Sequence, residues 1–387
     1  MIRQVVIGCV FVIAAACGTG PNPSRPGGAP SADPAAPAVR PSPSGPIATS
    51  RDPSAAWSLA GIGDDSAATQ LHAVVAVADG FVATGSRGQA GEVPVAFHSV
   101  DGSTWTAEAI SGRFGSPSRL LAWDERVLGI GNGETDRCAH PYAMDTWVRS
   151  ADGTWAEAPF DRLFCDNGGV PVVLDGRIWI AGAVRDIPAL MVSDDGLVWT
   201  NKRDRLGDLY PTDAIVDGSG LWILARDAAG GSVALHSRDG TAFERRPVTT
   251  AAGLPVDVLA GVVLDGAPLL LVTRDGILGT LRPDDAGGWR DAPATGLPPR
   301  SVAAVLPIEG HLVALGSDDN GLPLAFTSAD GSSWAPIPLP AGAGPGTTLF
   351  GLAVANRLAV LVGQIESPDG SGAVGAIWTG SPALLAP

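Results

Sequence analysis

Apolar residues recur along this chain in short runs bounded by turn residues, with no sustained helical spacing. Residues 72–86 read HAVVAVADGFVATGS, 171–183 PVVLDGRIWIAGA, 301–317 SVAAVLPIEGHLVALGS and 349–364 LFGLAVANRLAVLVGQ. Each run is two apolar strands around a tight turn, and the pattern predicts a hairpin in every case. A variable loop and a third strand follow, and then a second kind of turn. It reads SVDGSTWTAEAI from Ser99, SADGTWAEAPF from Ser150, SDDGLVWTNKR from Ser193, SRDGTAFERRP from Ser237 and SADGSSWAPIPL from Ser328. A fourth strand leaves each of these turns.

Period converts the hairpins into an architecture. The turn aspartates are Asp101, Asp152, Asp195, Asp239 and Asp330, with a degenerate counterpart, PDDAGGW, at Asp285. Four short strands recurring every ~45 residues predict an all-β chain folded as a β-propeller of four-stranded antiparallel blades. Six units carry the turn or its remnant, and a seventh begins at Leu349 but stops after GAIWTGS, short of a fourth strand. The stretch PSAAWSLAGIG from Pro53 looks like the missing strand, with Trp57 matching Trp105. A seven-bladed ring closed by the N-terminal strand is therefore expected, with no exposed sheet edge at the seam.

In the second kind of turn, glycine supplies the positive φ that an Asp-Gly hairpin requires. The preceding Asp accepts hydrogen bonds from turn amides, and Trp or Phe243 adds apolar area. Five copies of one acid, all at turns, read as five structural clips. The string S-x-D-G-x-x-W resembles the Asp-box of sialidase-like and neuraminidase-repeat propellers, although that family places a residue between the Asp and the Gly. The resemblance implies the propeller fold across some 330 residues. It also raises a sialidase-like glycoside hydrolase with a divergent site as the alternative function. Sialidases use an arginine triad, a tyrosine paired with a glutamate, and an aspartic acid. Here Tyr142 and Tyr210 are the tyrosines, and no glutamate–tyrosine pairing is legible.

The N-terminus changes the setting. Arg3 precedes an apolar run, Val5–Ala16, too short to span a bilayer, and Ala14–Ala16 lead into Cys17. This resembles a bacterial lipoprotein signal (1–16), which implies acylation of Cys17. Residues 17–56 are rich in Pro, Gly, Ala and Ser, so they form a tether and the propeller occupies 57–387. An extracytoplasmic, membrane-anchored protein of the cell envelope is expected. With Cys17 acylated, Cys138 and Cys165 remain as an even pair for a disulfide. The formal charge is −15 and no basic stripe is present, which argues against nucleic acid.

Candidate chemistry is sparse. His72, His98, His140, His236 and His311 show no metal-ligand spacing, so neither a metal nor a cofactor is expected. Turns joining strands one to two and three to four share one face and are short. The other face carries variable loops, and binding residues favour such loops. The densest is 132–145, NGETDRCAHPYAMD, which nominates Arg137, His140 and Tyr142 as ligand-binding residues. The expected function is a binding or scaffold module for an extracytoplasmic protein, peptide or glycan.

Overall fold

The computed structural model describes residues 57–62, 69–88, 93–111, 115–133, 143–158, 169–184, 187–298, 302–366 and 372–387. Among them, 28 strands form seven four-stranded antiparallel sheets. Six sheets are continuous in sequence. The seventh combines Thr347–Ala355, Leu358–Glu366 and Ala373–Gly380 with the outer strand Ser58–Ala60. Ser58 pairs with Thr379, Leu59 with Trp378 and Ala60 with Ile377. The preceding Trp57 is buried, and its indole donates to the Pro338 carbonyl at 2.9 Å.

Among the described residues the apolar core is divided between the blades. Seven apolar clusters lie one between each pair of successive blades, including Leu71, Phe81 and Trp105 of the first against Ala353, Val360 and Ile377 of the seventh. Both faces of each sheet are thus covered, which explains why the inner strands read as continuous apolar runs rather than alternating ones. In the fourth blade the second strand, Gly220–Arg226, is buried over its first six residues. Its outermost strand, Glu244–Pro247, is largely exposed.

The turns joining first to second strands are two residues long in all seven blades, as at Ala78–Asp79 and Asp124–Glu125. At Asp175–Gly176, Asp265–Gly266, Glu309–Gly310 and Asn356–Arg357 both residues have positive φ, the twist that suits a two-residue hairpin.

The Asp-Gly turns are built as clips. Asp101 Oδ1 accepts from the amides of Ser103 at 2.9 Å and Thr104 at 2.8 Å, while the Ser99 hydroxyl donates to it at 3.1 Å. The Trp105 indole closes the loop on the Gly102 carbonyl at 2.9 Å. Asp195 with Trp199, and Asp330 with Trp334, repeat this arrangement. Asp239 accepts from the amide and the hydroxyl of Thr241. Donation by Thr104 and Ser103 holds the Asp101 carboxyl well below the usual range, and the Thr154 amide does the same for Asp152. Asp330, bonded first by the Ser332 hydroxyl, is lowered to about 2.

Two turns depart from the repeat. SADGTW has one residue fewer between Gly and Trp, so the Trp155 indole reaches Glu108 Oε2 of the first blade at 2.8 Å instead. Arg149 clasps the same carboxylate, Nε to Oε2 at 2.8 Å and Nη2 to Oε1 at 2.6 Å. In the fifth blade the clip residue is Asp284 rather than Asp285. Its Oδ1 accepts from Ala286 and Gly288, because no Ser lies two residues before it and the turn closes one residue later.

Candidate functional site at the channel mouth

The innermost strands surround the channel. They begin on the face of the variable connections and run to the two-residue turns. Six of the seven slip register at the same place: between Leu71 and Ala73, Pro117 and Arg119, Pro211 and Asp213, Val258 and Ala260, Val302 and Ala304, and Leu349 and Gly351. A bulge bends its strand and re-aims the extra side chain. The extra residues are His72, Ser118, Thr212, Leu259, Ala303 and Phe350, all half-buried or exposed. His72 and Phe350, from the first and seventh blades, stand 5.3 Å apart between ring centroids.

Beside these bulges lies a belt of contacts between blades. The first blade's Thr84 hydroxyl donates to the Pro117 carbonyl of the second at 2.9 Å. Arg119 Nη1 of the second donates to the Gly169 carbonyl of the third at 2.7 Å. Asp213 of the fourth receives its own neighbour's amide, Ala214, on Oδ1 and the fifth blade's Gly261 amide on Oδ2, both at 2.7 Å. Asp213 is 2% exposed, and burial pushes its carboxyl up to about 7 despite the two amides and the Arg119 charge. His72 is driven the other way, to about 4, also by burial, which disfavours the charged imidazolium. Its Nε2 lies 3.3 Å from the Ser86 hydroxyl.

Toward the turn face the channel becomes aliphatic. A cavity of about 130 Å³ is lined by Val172, Val173, Ile215, Val216, Val262 and Pro307 among others. The half-buried or exposed His72, Ser118, Arg119 and Thr212 thus stand over an apolar throat, polar groups above an apolar cavity as in many small binding sites, while Asp213 is buried beneath the surface.

Arg137, His140 and Tyr142 lie outside the described residues, as do Cys17, Cys138 and Cys165. The strands that flank the first three, Arg126–Gly133 and Ala143–Arg149, end on the mouth side and pair up to Gly133 with Ala143. The five turn aspartates sit at the opposite end of the blades, each a clip for its own turn. Arg119 and Asp213 did not stand out in the repeat reading. The available signal was their register: where Arg119 and Asp213 stand, the equivalent residues are Ala73, Ala260, Ala304 and Gly351.

No protein-family model matches the chain, and neither does any curated protein. Solved structures do resemble it. A catalytically inactive virginiamycin B lyase from Staphylococcus aureus, with quinupristin, aligns with a TM-score of 0.53 at 12% identity, over 83% of this chain and 98% of that one. YCF48 bound to D1 peptide aligns with a TM-score of 0.51 at 15% identity, over 83% and 94%. The phage phi92 endosialidase aligns at 0.46 and 11%, over 84% and 69%. The chain is a seven-bladed β-propeller. At these identities the likeness extends to the fold, and the propeller's function has to be argued from its own residues.

Proposed function

We propose that this propeller is an exported, membrane-tethered binding module that engages a protein or peptide segment at the channel mouth and the loops around it. The observation that carries the reading is the construction of the rim. Arg119 and Asp213 are tied to the backbone of neighbouring blades beside the inner-strand bulges, and an aliphatic cavity of about 130 Å³ is lined in part by Ala214, Ile215 and Val216, which follow Asp213. A rigid rim over a small apolar throat suits a bound segment that inserts one aliphatic side chain. YCF48 with its D1 peptide is a propeller of similar fold holding a peptide, which supports this class of partner. Export and anchoring rest on Arg3, the apolar run and Cys17.

A photo-crosslinking residue at the exposed Thr212, compared with one at the exposed Glu125 on the opposite face, tests the surface. Membrane-fraction adducts formed from Thr212 and not from Glu125 are expected; equal labelling refutes the assignment. A fluorogenic sialoside should remain intact, and turnover would instead favour the hydrolase. Cys17→Ser should release the protein from the membrane fraction, and its retention there would refute the anchor.

A further inference from the structure

On the turn face, away from the channel mouth, a groove of about 490 Å³ opens between the fourth and fifth blades. Its fourth-blade wall is satisfied from within. Trp222 stacks on His236 at 4.2 Å and 30°, and the Arg246 guanidinium lies 5.5 Å from the Trp222 ring centre. Arg246 is in turn paired twice with Glu244, at 3.0 and 2.9 Å. The Ser219 hydroxyl donates to Asp217 at 2.7 Å and lies 3.1 Å from His236 Nε2.

The fifth-blade wall is different. Arg282 and Arg290 stand directly opposite each other on paired antiparallel strands, Ile277–Pro283 and Trp289–Pro293, and both line the groove. Like charges in this relation destabilise a sheet. Among the described residues neither guanidinium pairs with a carboxylate. Arg282 gives one N–H to the Asp330 carbonyl at 3.2 Å, and Arg290 makes no hydrogen bond within the described residues. Two uncompensated guanidiniums side by side are notable in a chain of formal charge −15, where acidic partners abound.

We propose that this groove is a binding site for a small oxyanion-bearing ligand, carboxylate or phosphate, held between Arg282 and Arg290. Guanidinium groups present paired N–H donors that match the oxygens of either anion. An anion bridging the two arginines removes the like-charge repulsion; the Ser219 hydroxyl in the same groove already gives its hydrogen to Asp217, which also lines the groove, so the two arginines supply the donors. Trp222 is only 4% exposed, so it serves as a packed wall and does not offer a face for stacking.

Isothermal titration with inorganic phosphate and, separately, with citrate tests the site on the intact chain. Saturable one-site binding of at least one probe is expected, and which one binds distinguishes the phosphate from the carboxylate source. Arg290→Gln, at an exposed position, should weaken that binding by roughly tenfold or more, the loss expected for one charge-assisted contact. It should also leave the ligand-free melting temperature unchanged or higher, because a repulsion is removed. Arg177→Gln is the control, since this exposed arginine already pairs with Asp194 at 2.6 Å elsewhere on the molecule and should not change binding. Binding of neither probe at millimolar concentration, or equal binding by Arg290→Gln, overturns the proposal. The channel-mouth reading is unaffected by either result.

Discussion

Asp213→Asn isolates the cost of a buried charge at the rim of the channel. In the folded protein the Asp213 carboxyl titrates near 7, against 3.8 for the exposed group. A raised carboxyl pKa means that the native state holds its proton more tightly than the unfolded chain. The associated destabilisation is absent below about pH 4, develops as pH rises, and is complete above about pH 7. At 1.36 kcal/mol per pH unit, the span from 3.8 to about 7 corresponds to roughly 4 kcal/mol. Asn cannot ionise, but its single oxygen can accept only one of the two backbone amides, and its Nδ2 faces the other donor to donor, a pH-independent loss of roughly 1–3 kcal/mol. The variant should therefore be less stable than the wild type by that amount near pH 4, and the difference should move in its favour by roughly 4 kcal/mol between pH 4 and pH 8. His72 titrates in the same window with opposite sign, its folded value lowered to about 4, so protonating it costs stability as pH falls. That contribution is common to both proteins and cancels in the difference. Urea unfolding of both chains at the two pH values measures it. A variant-minus-wild-type difference that does not change with pH would refute the reasoning.

Other perturbations follow from particular contacts. Gly240→Ala places a Cβ 2.3 Å from the buried Trp179 ring at φ +72°, and should cost roughly 3 kcal/mol by denaturant midpoint, from overpacking plus left-handed strain. Gly287→Ala, at φ +83° with open space around it, should cost only about 1–2 kcal/mol, and equal losses would show that packing is not the cause. Glu108→Ala leaves the Arg149 guanidinium buried without its carboxylate and should cost roughly 3–5 kcal/mol; a loss under about 1 kcal/mol would show that the clamp is slack. The Asp330 carboxyl, lowered to about 2, stabilises above its ordinary value and loses that contribution as pH falls from 3.8 toward 2. Asp330→Ala should thus flatten the acid limb of the stability curve, and an unchanged limb would argue against the clip. Deleting residues 53–60 exposes the edge of Ala373–Gly380 and should produce aggregation or a broadened melt; a monomer with the parental melting curve would show that the strand is dispensable.

Much of the fold was legible because its signals are local. A two-residue turn, a Ser-x-Asp-Gly clip and an apolar strand are each decided within a few residues, and their recurrence every ~45 residues is enough to count blades. Even the exceptions left traces: the shortened SADGTW and the serine-less PDDAGGW depart from the repeat in sequence and depart from it in hydrogen bonding. The site was not legible in this way. Arg119 meets Gly169, Asp213 meets Gly261 and Gly240 meets Trp179, in each case across a blade boundary and some 50 or 60 residues apart in the chain. A repeat states what every blade shares, whereas a site is made where one blade differs, as Asp213 does among Ala260, Ala304 and Gly351. The local code therefore determined the blades, their turns and their number. Only the packing of unlike blades side by side decided which polar groups were stripped of water, which found a partner across the boundary, and which, like Arg282 and Arg290, were left facing each other.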